Sequence, residues 1–198
     1  MSPNFLTAGT GETMSISTED QRILLQIARS AIEKRLGMPS TDFPLSDRPF
    51  LQQNRGCFVT LEKKGQLRGC IGNIEPIKPL IEAIADNAVS AAFHDPRFPA
   101  MTREEWPSVD IEISILSEPR MLEAKNPTDL LAKLAAGVHG VILSRGYRRA
   151  TFLPQVWDQL PDKRSFLEHL CLKAGMEASC WKDPQTSIEV YEAEHFRE

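Results

Sequence analysis

Cysteine is scarce in this chain of 198 residues: there are four, Cys57, Cys70, Cys171 and Cys180, and no two form a CxxC pair. A disulfide scaffold needs a denser set and a zinc ribbon needs paired thiols, so neither is expected, and all four are read as reduced. Histidine is equally sparse, at four residues. No HxxxH or comparable ligand spacing occurs, and no metal site is expected. No apolar run is long enough to cross a bilayer. The opening MSPNFLTAGTGETMSIST also lacks the basic stretch, apolar segment and cleavage site of a signal peptide. A cytoplasmic location without membrane contact is the expectation. Basic excess is missing too, since 23 Lys and Arg face 27 Asp and Glu for a net charge of −4. Nucleic acid is therefore not expected as a general partner, because neutralising phosphates needs a basic surface. Neither GxGxxG nor GxxxxGK[ST] is present, so no nucleotide cofactor, and no cofactor of any kind, is expected.

What remains is a chain with 41% hydrophobic and 25% charged residues, the balance of a globular protein with one sizeable core. Residues 1–14 read as a flexible tail and 15–198 as one domain of two lobes. Ile23, Leu24, Ile27, Ala28, Ala31 and Ile32 fall on one helical face, started by Ser17 with Asp20 and stopped by Gly37 and Pro39. A proline-rich connector follows, with Phe43, Leu45, Phe50 and Leu51 expected to dock. Two β-prone runs then flank Lys63-Lys64-Gly65, which reads as a three-residue hairpin loop. In that register Leu61 opposes Leu67, Val59 opposes Gly69 and Cys57 opposes Ile71, while Phe58 with Cys70 and Thr60 with Arg68 share the other face. A shorter Lys64-Gly65 turn would instead set Arg68 and Cys70 over Leu61 and Val59.

Further on, Ile77, Leu80, Ile81, Ile84, Ala88 and Ala91 form a second helical stripe. Thr102 with Glu105 reads as a capping box. VDIEISIL alternates as a strand buried on one face. A short helix starts at Asn126-Pro127, a hairpin turns at Arg145-Gly146, and helices follow at LPQVWDQL and between Asp162 and Gly175. TSIEVYEAEHF reads as a last strand. Helices and hairpins mix without regular strand-helix-strand alternation, which predicts an α+β fold with antiparallel sheets.

The stretch LRGCIG, Leu67 to Gly72, carries the chemistry of interest. Arg68 and Cys70 sit two residues apart on one strand face, roughly 6 to 7 Å from each other by the rise per residue. Cysteine chemistry runs through the thiolate, which a neighbouring cation favours. Gly69 and Gly72 leave room for a substrate or another backbone segment beside the sulfur; the competing account is a small buried cysteine with glycines marking a bulge. His139, bracketed by glycines in GVHGV, is either a base toward a thiol or a turn histidine bonded to backbone. His94 and Asp95 read as a helix terminus with Arg97 pairing to a carboxylate. Arg145, Arg148 and Arg149, with Lys163 and Arg164, form either an anion-binding edge or a solvated hairpin tip.

LRGCIG, AFHDPRFPAMT, GVHGV and RRATFLPQVW, in that order, resemble the signature segments of the AMMECR-like family, also called AmmeMemoRadiSam system protein A. The resemblance runs from the first helix to the final strand. It implies an α+β fold of two unequal lobes, each with an antiparallel sheet flanked by helices, the larger lobe collecting both chain ends. It also implies a Memo-like protein and a radical-SAM protein as partners. This chain lacks the CxxxCxxC of a radical-SAM enzyme and would be the third component. The family's motifs map onto Leu67 to Gly72, Asp95 to Pro99, Gly137 to Gly140 and Ala150 to Pro154; His94 departs from the residue relatives often carry. Two functions compete. In one, Cys70, Arg68 and His139 are catalytic and Gly69, Gly72, Asp95, Arg97 and Arg149 bind a small-molecule or protein substrate. In the other, the same stretch is a junction in a non-catalytic adaptor.

Overall fold

The first helix, α1 (Thr18–Leu36), begins where the Ser17 side chain accepts the Asp20 N–H and ends at Gly37, whose φ of +67° an L side chain adopts only with strain. The structure, a computed structural model, describes residues 16–41 and 48–198. The expected tail over 1–14, and Phe43 and Leu45 of the connector, lie outside the described residues. Leu24, Ile27, Ala28 and Ile32 of α1 are buried against α2 (Leu80–Phe93) and the first sheet. α2 starts one residue after Pro79, so Ile77 falls outside the helix and stays 66% exposed. The fused ring that cannot donate a hydrogen bond is tolerated at a helix start, and the expected stripe loses its first member there.

Among the described residues the strands form two four-stranded antiparallel sheets. The first lobe holds β1 (Cys57–Lys63), β2 (Gln66–Asn73), β3 (Val109–Leu116) and β8 (Ala193–Arg197), ordered β2-β1-β3-β8, with α1 and α2 on one face. The second lobe holds β4 (Arg120–Met121), β5 (Gly140–Arg145), β6 (Arg148–Phe152) and β7 (Ser187–Tyr191), ordered β4-β7-β5-β6, with α3 (Pro127–Lys133) and α4 (Lys163–Lys173). Trp157 and Phe166 stack at 3.7 Å between ring centres inside the second core. The fold is α+β, with a helix-covered antiparallel sheet in each lobe.

The segment read as one last strand is two. β7 ends at Tyr191 in the second sheet, and after Glu192 the chain enters the first sheet as β8, where Ala193 opposes Leu116 of β3. Ser117 and Glu192 tie this crossing: Ser117 N–H donates to the Glu192 carbonyl and Glu192 N–H donates to Ser117 Oγ, both at 2.9 Å. Ser114 and Leu116 of β3 are buried along with Ile113 and Ile115. One-face burial therefore holds only for the first half of β3, because Leu116 packs with Ile142 and Tyr191 of the second lobe.

The β1–β2 register differs from both expectations. Lys64 (φ +53°) and Gly65 (φ +73°) form a two-residue loop, the arrangement whose twist matches a hairpin. Glu62 then opposes Leu67, but beyond a bulge Leu61 opposes Gly69, Thr60 opposes Cys70 and Phe58 opposes Gly72. Arg68 is the extra residue. Arg68 and Gly69 are consecutive and both buried, which simple alternation forbids and a bulge permits.

Cys171 and Cys180 form a disulfide across a sequence separation of 9, so the reading of four reduced thiols is corrected for this pair; Cys57 and Cys70 are free. α4 closes at Gly175 (φ +69°), and the reversal brings the turn Cys180–Lys182 back against the last helical turn. A spacing of nine does not reveal such a reversal. The double variant Cys171→Ala/Cys180→Ala is expected to lose about 2–3 kcal/mol of stability from loop closure. Urea denaturation checks this, and an unchanged midpoint would refute it.

Candidate functional site

Cys70 lies on β2, the edge strand of the first sheet, with its side chain on the face shared by Thr60 and turned away from α1 and α2. The thiol is half-buried, and the Thr60 hydroxyl donates to Sγ at 3.3 Å. At this position the strand's outward N–H and C=O are both taken by side chains. Cys70 N–H donates to Asp95 Oδ2 at 2.9 Å, and Arg97 Nη2 donates to the Cys70 carbonyl at 3.3 Å. Asp95 and Arg97 thus give the open edge one acceptor and one donor, as a neighbouring strand would. Asp95 itself is buried and receives Arg97 Nε at 2.9 Å and Nη2 at 2.7 Å. The Arg97 guanidinium holds the Asp95 carboxyl well below the usual carboxylate range against the opposing effect of burial, helped by the Cys70 and Arg97 N–H groups.

Arg68 does not serve the thiol. Its Nε donates to Glu105 Oε1 at 2.9 Å, and its Nη2 donates to Glu105 Oε2 at 3.0 Å and to the Pro99 carbonyl at 2.8 Å. Lys63 Nζ reaches the same Glu105 at 3.0 Å. Glu105 was expected to close a capping box. Its backbone N–H does meet Thr102 Oγ1 at 3.3 Å, but its carboxylate turns to Arg68, whose hydrogen bonds lower its pKa. The cation beside Cys70 is Arg97, supplied from the loop after α2.

The two glycines of LRGCIG do not make room for a substrate at the sulfur. A Cβ on Gly69 would fall far inside contact distance of the Ala91 carbonyl oxygen of α2, and one on Gly72 would meet the Phe58 ring. Both positions are filled by the protein itself: helix backbone lies against Gly69, and an aromatic ring lies across Gly72.

His139 stands in the second lobe, just before β5. Its Nδ1 accepts the Ala135 N–H at 3.1 Å and its carbonyl accepts Trp157 Nε1 at 2.7 Å. That bond pattern assigns a neutral ring with its proton on Nε2. Neither partner belongs to the first lobe, so the expected proton relay between Cys70 and His139 is not assembled. Burial, followed by the Arg120 charge, pushes the imidazole below its ordinary 6.5 despite Glu192, and Lys163 adds to the effect. The unfolded chain then binds the extra proton first, so this contribution to stability is whole above the ordinary value and is lost progressively as pH falls below it and through the lowered value of the folded protein. Melting temperature is expected to drop between about pH 7 and about pH 5, and His139→Gln is expected to flatten that slope. Parallel profiles for the two proteins would refute the assignment.

Elsewhere, His94 is exposed at the end of α2, where its backbone N–H donates to the Ser90 carbonyl at 2.8 Å. The hairpin arginines are engaged: Arg145 with Asp183 at 2.6 Å, Arg148 with the Gly175 carbonyl at 2.8 Å, and Arg149 with Glu75. Lys163 Nζ donates to the Leu131 carbonyl at 2.8 Å. Among the described residues no three His, Cys, Asp or Glu side chains gather as a metal-holding group, and no helix is long and apolar enough to cross a membrane. The sequence reading missed Thr60 and Glu105 as partners of Cys70 and Arg68. Thr60 was visible as the polar residue of β1, whereas nothing local points Glu105 at a residue 37 positions earlier.

A pair of helix-covered antiparallel sheets with LRGCIG on the edge of the first defines an α+β class that other proteins share. The crystal structure of an uncharacterized protein from Pyrococcus horikoshii superposes with a TM-score of 0.76 at 36% identity, covering 89% of this chain and 90% of that one. The AMMECR1 family model matches residues 25–196, and the chain belongs to the AMMECR1 family. A protein of Methanothermobacter thermautotrophicus is 44% identical over 185 residues, covering 92% of this chain and 96% of its own length. A protein of Methanopyrus kandleri is 42% identical over 198 residues, covering 95% and 92%.

Proposed function

We propose that the sheet face around Cys70 is the working site, and that Cys70 acts as a thiol nucleophile or transient acceptor in a cytoplasmic system shared with a Memo-like protein and a radical-SAM protein. The observation that carries this reading is the contrast between the two free thiols. Cys57 is sealed in the first core, where burial pushes its pKa up to about 12 although Asn87 donates a hydrogen bond to it. Cys70 is half-exposed, receives a hydroxyl hydrogen bond from Thr60, and has its backbone fixed from both sides by Asp95 and Arg97. A thiol held at a set position beside a guanidinium suits attack on, or capture of, an electrophilic group. His139 is absent from this mechanism, and the proton acceptor comes from substrate, water or a partner.

Iodoacetamide at neutral pH is expected to label Cys70 faster than an ordinary exposed thiol and to label Cys57 only after unfolding. Mass spectrometry of the labelled peptides reads both. Cys70 labelling at or below the rate of an ordinary exposed thiol sinks the proposal.

A second reading rests on Gly69, Gly72 and Arg68, which all hold the first lobe together and leave LRGCIG as a packed junction. In this reading the chain is a non-catalytic adaptor for the same two partners. Cys70→Ser separates the two: normal assembly with lost activity of the reconstituted system supports the thiol, and retained activity supports the adaptor.

A further inference from the structure

A pocket of about 380 Å³ opens where the lobes meet, and Cys70 is not among the residues that line it. Its size lies at the lower end of the range used by small-molecule sites. Ile74 and Ile77, from the segment after β2, line it together with Ala150 and the almost fully buried Ile142 of the second sheet, and Ile74 packs against the cluster that holds Ile142. Ile77 is the residue that α2 leaves out, and an isoleucine 66% exposed beside a cavity is apolar surface that the fold does not use. The same pocket is lined by Glu75 and Arg149, which form an ion pair between the lobes. Glu75 is 61% exposed and Arg149 45% exposed, so water competes for both and the pair is weak. A carboxylate therefore already reaches the Arg149 guanidinium beside an apolar chamber, and little free energy is lost when another carboxylate replaces it.

We propose that this pocket binds a small aliphatic carboxylate, with its hydrocarbon chain against Ile74, Ile77, Ile142 and Ala150 and its carboxylate on Arg149 in the place Glu75 holds. Glu75 then acts as an internal competitor for the ligand. Contacts to both lobes make the bound molecule a bridge between them. The site is separate from the thiol, so its fate does not depend on whether Cys70 reacts.

The test is an amide NMR titration of the full chain with sodium hexanoate, with hexan-1-ol and hexylamine as probes of the same length. Saturable shifts confined to residues 73–77 and 142–151 are expected for hexanoate. Arg149→Gln is expected to weaken hexanoate about three- to fivefold, the size of an exposed ion pair. Glu75→Gln is expected to tighten it about two- to fivefold by removing an exposed competing pair. Absence of saturable shifts overturns the proposal. Hexan-1-ol or hexylamine binding Glu75→Gln as tightly as hexanoate does overturns it as well, as does an unchanged hexanoate affinity in either variant. Both substitutions are at exposed positions, and their melting curves verify folding independently of the titration.

Discussion

Arg68→Met is expected to destabilise the chain by about 2–3 kcal/mol, because it removes the charge-assisted hydrogen bonds to Glu105 and leaves that mostly buried carboxylate with Lys63 alone. Arg68 is only 9% exposed at its side chain, and Glu105 is 17% exposed. With the guanidinium gone, Glu105 keeps only Lys63, and the Pro99 carbonyl loses the donor that Arg68 supplied. Replacing both charges differs from removing one. Arg68→Met/Glu105→Leu is expected to recover most of the loss, since an apolar pair of similar volume removes the stranded charge. Denaturation of the two single variants and the double variant measures this coupling. A single variant within about 1 kcal/mol of the parent would show Arg68 to be a surface pair in energetic terms. Iodoacetamide labelling of folded Arg68→Met should match the parent, because Arg97 is the cation at Cys70.

Gly69→Ala is expected to cost about 3 kcal/mol, the upper part of the range for overpacking. The added methyl group meets the Ala91 carbonyl, which belongs to the α2 backbone and cannot swing aside as a side-chain tip would. Helix and sheet must separate, and Val59, Leu61, Ala88 and Ala91 of the shared core separate with them. Thermal melts and the alkylation rate of Cys57 report this together: the melting temperature falls, and the sealed thiol opens to reagent. A variant as stable as the parent with Cys57 still protected would show that α2 does not bear on β2 there.

What could be read from sequence was local. Ser17 with Asp20, Gly37, Asp162 and Gly175 fix the ends of α1 and α4 through caps formed within a few residues, and each is found where the pattern puts it. Four ordered motifs also carried the family and with it the paired antiparallel sheets. The hairpin register was not legible, because it depends on Lys64 accepting a positive φ and on Arg68 being drawn out of alternation by Glu105. At the site, the sequence singled out Cys70, Asp95 and Arg97 but not their relation. Asp95 and Arg97 look like the end of α2 until the fold lays that loop along the edge of β2. His139 was equally ambiguous, and its partners Ala135 and Trp157 make it a brace for the chain entering β5. The Cys171–Cys180 bridge needed the chain reversal at Gly175, whose outcome no spacing rule contains.

The crossing at Ser117 and Glu192 has a topological consequence. Everything in the second lobe lies between Leu116 and Ala193, and those two residues are opposed partners on adjacent strands of the first sheet. In gene terms the second lobe is a cassette set into the loop of a β hairpin. Its entry and exit sit side by side, so it can be lengthened, exchanged or removed without interrupting any strand of the sheet that carries LRGCIG.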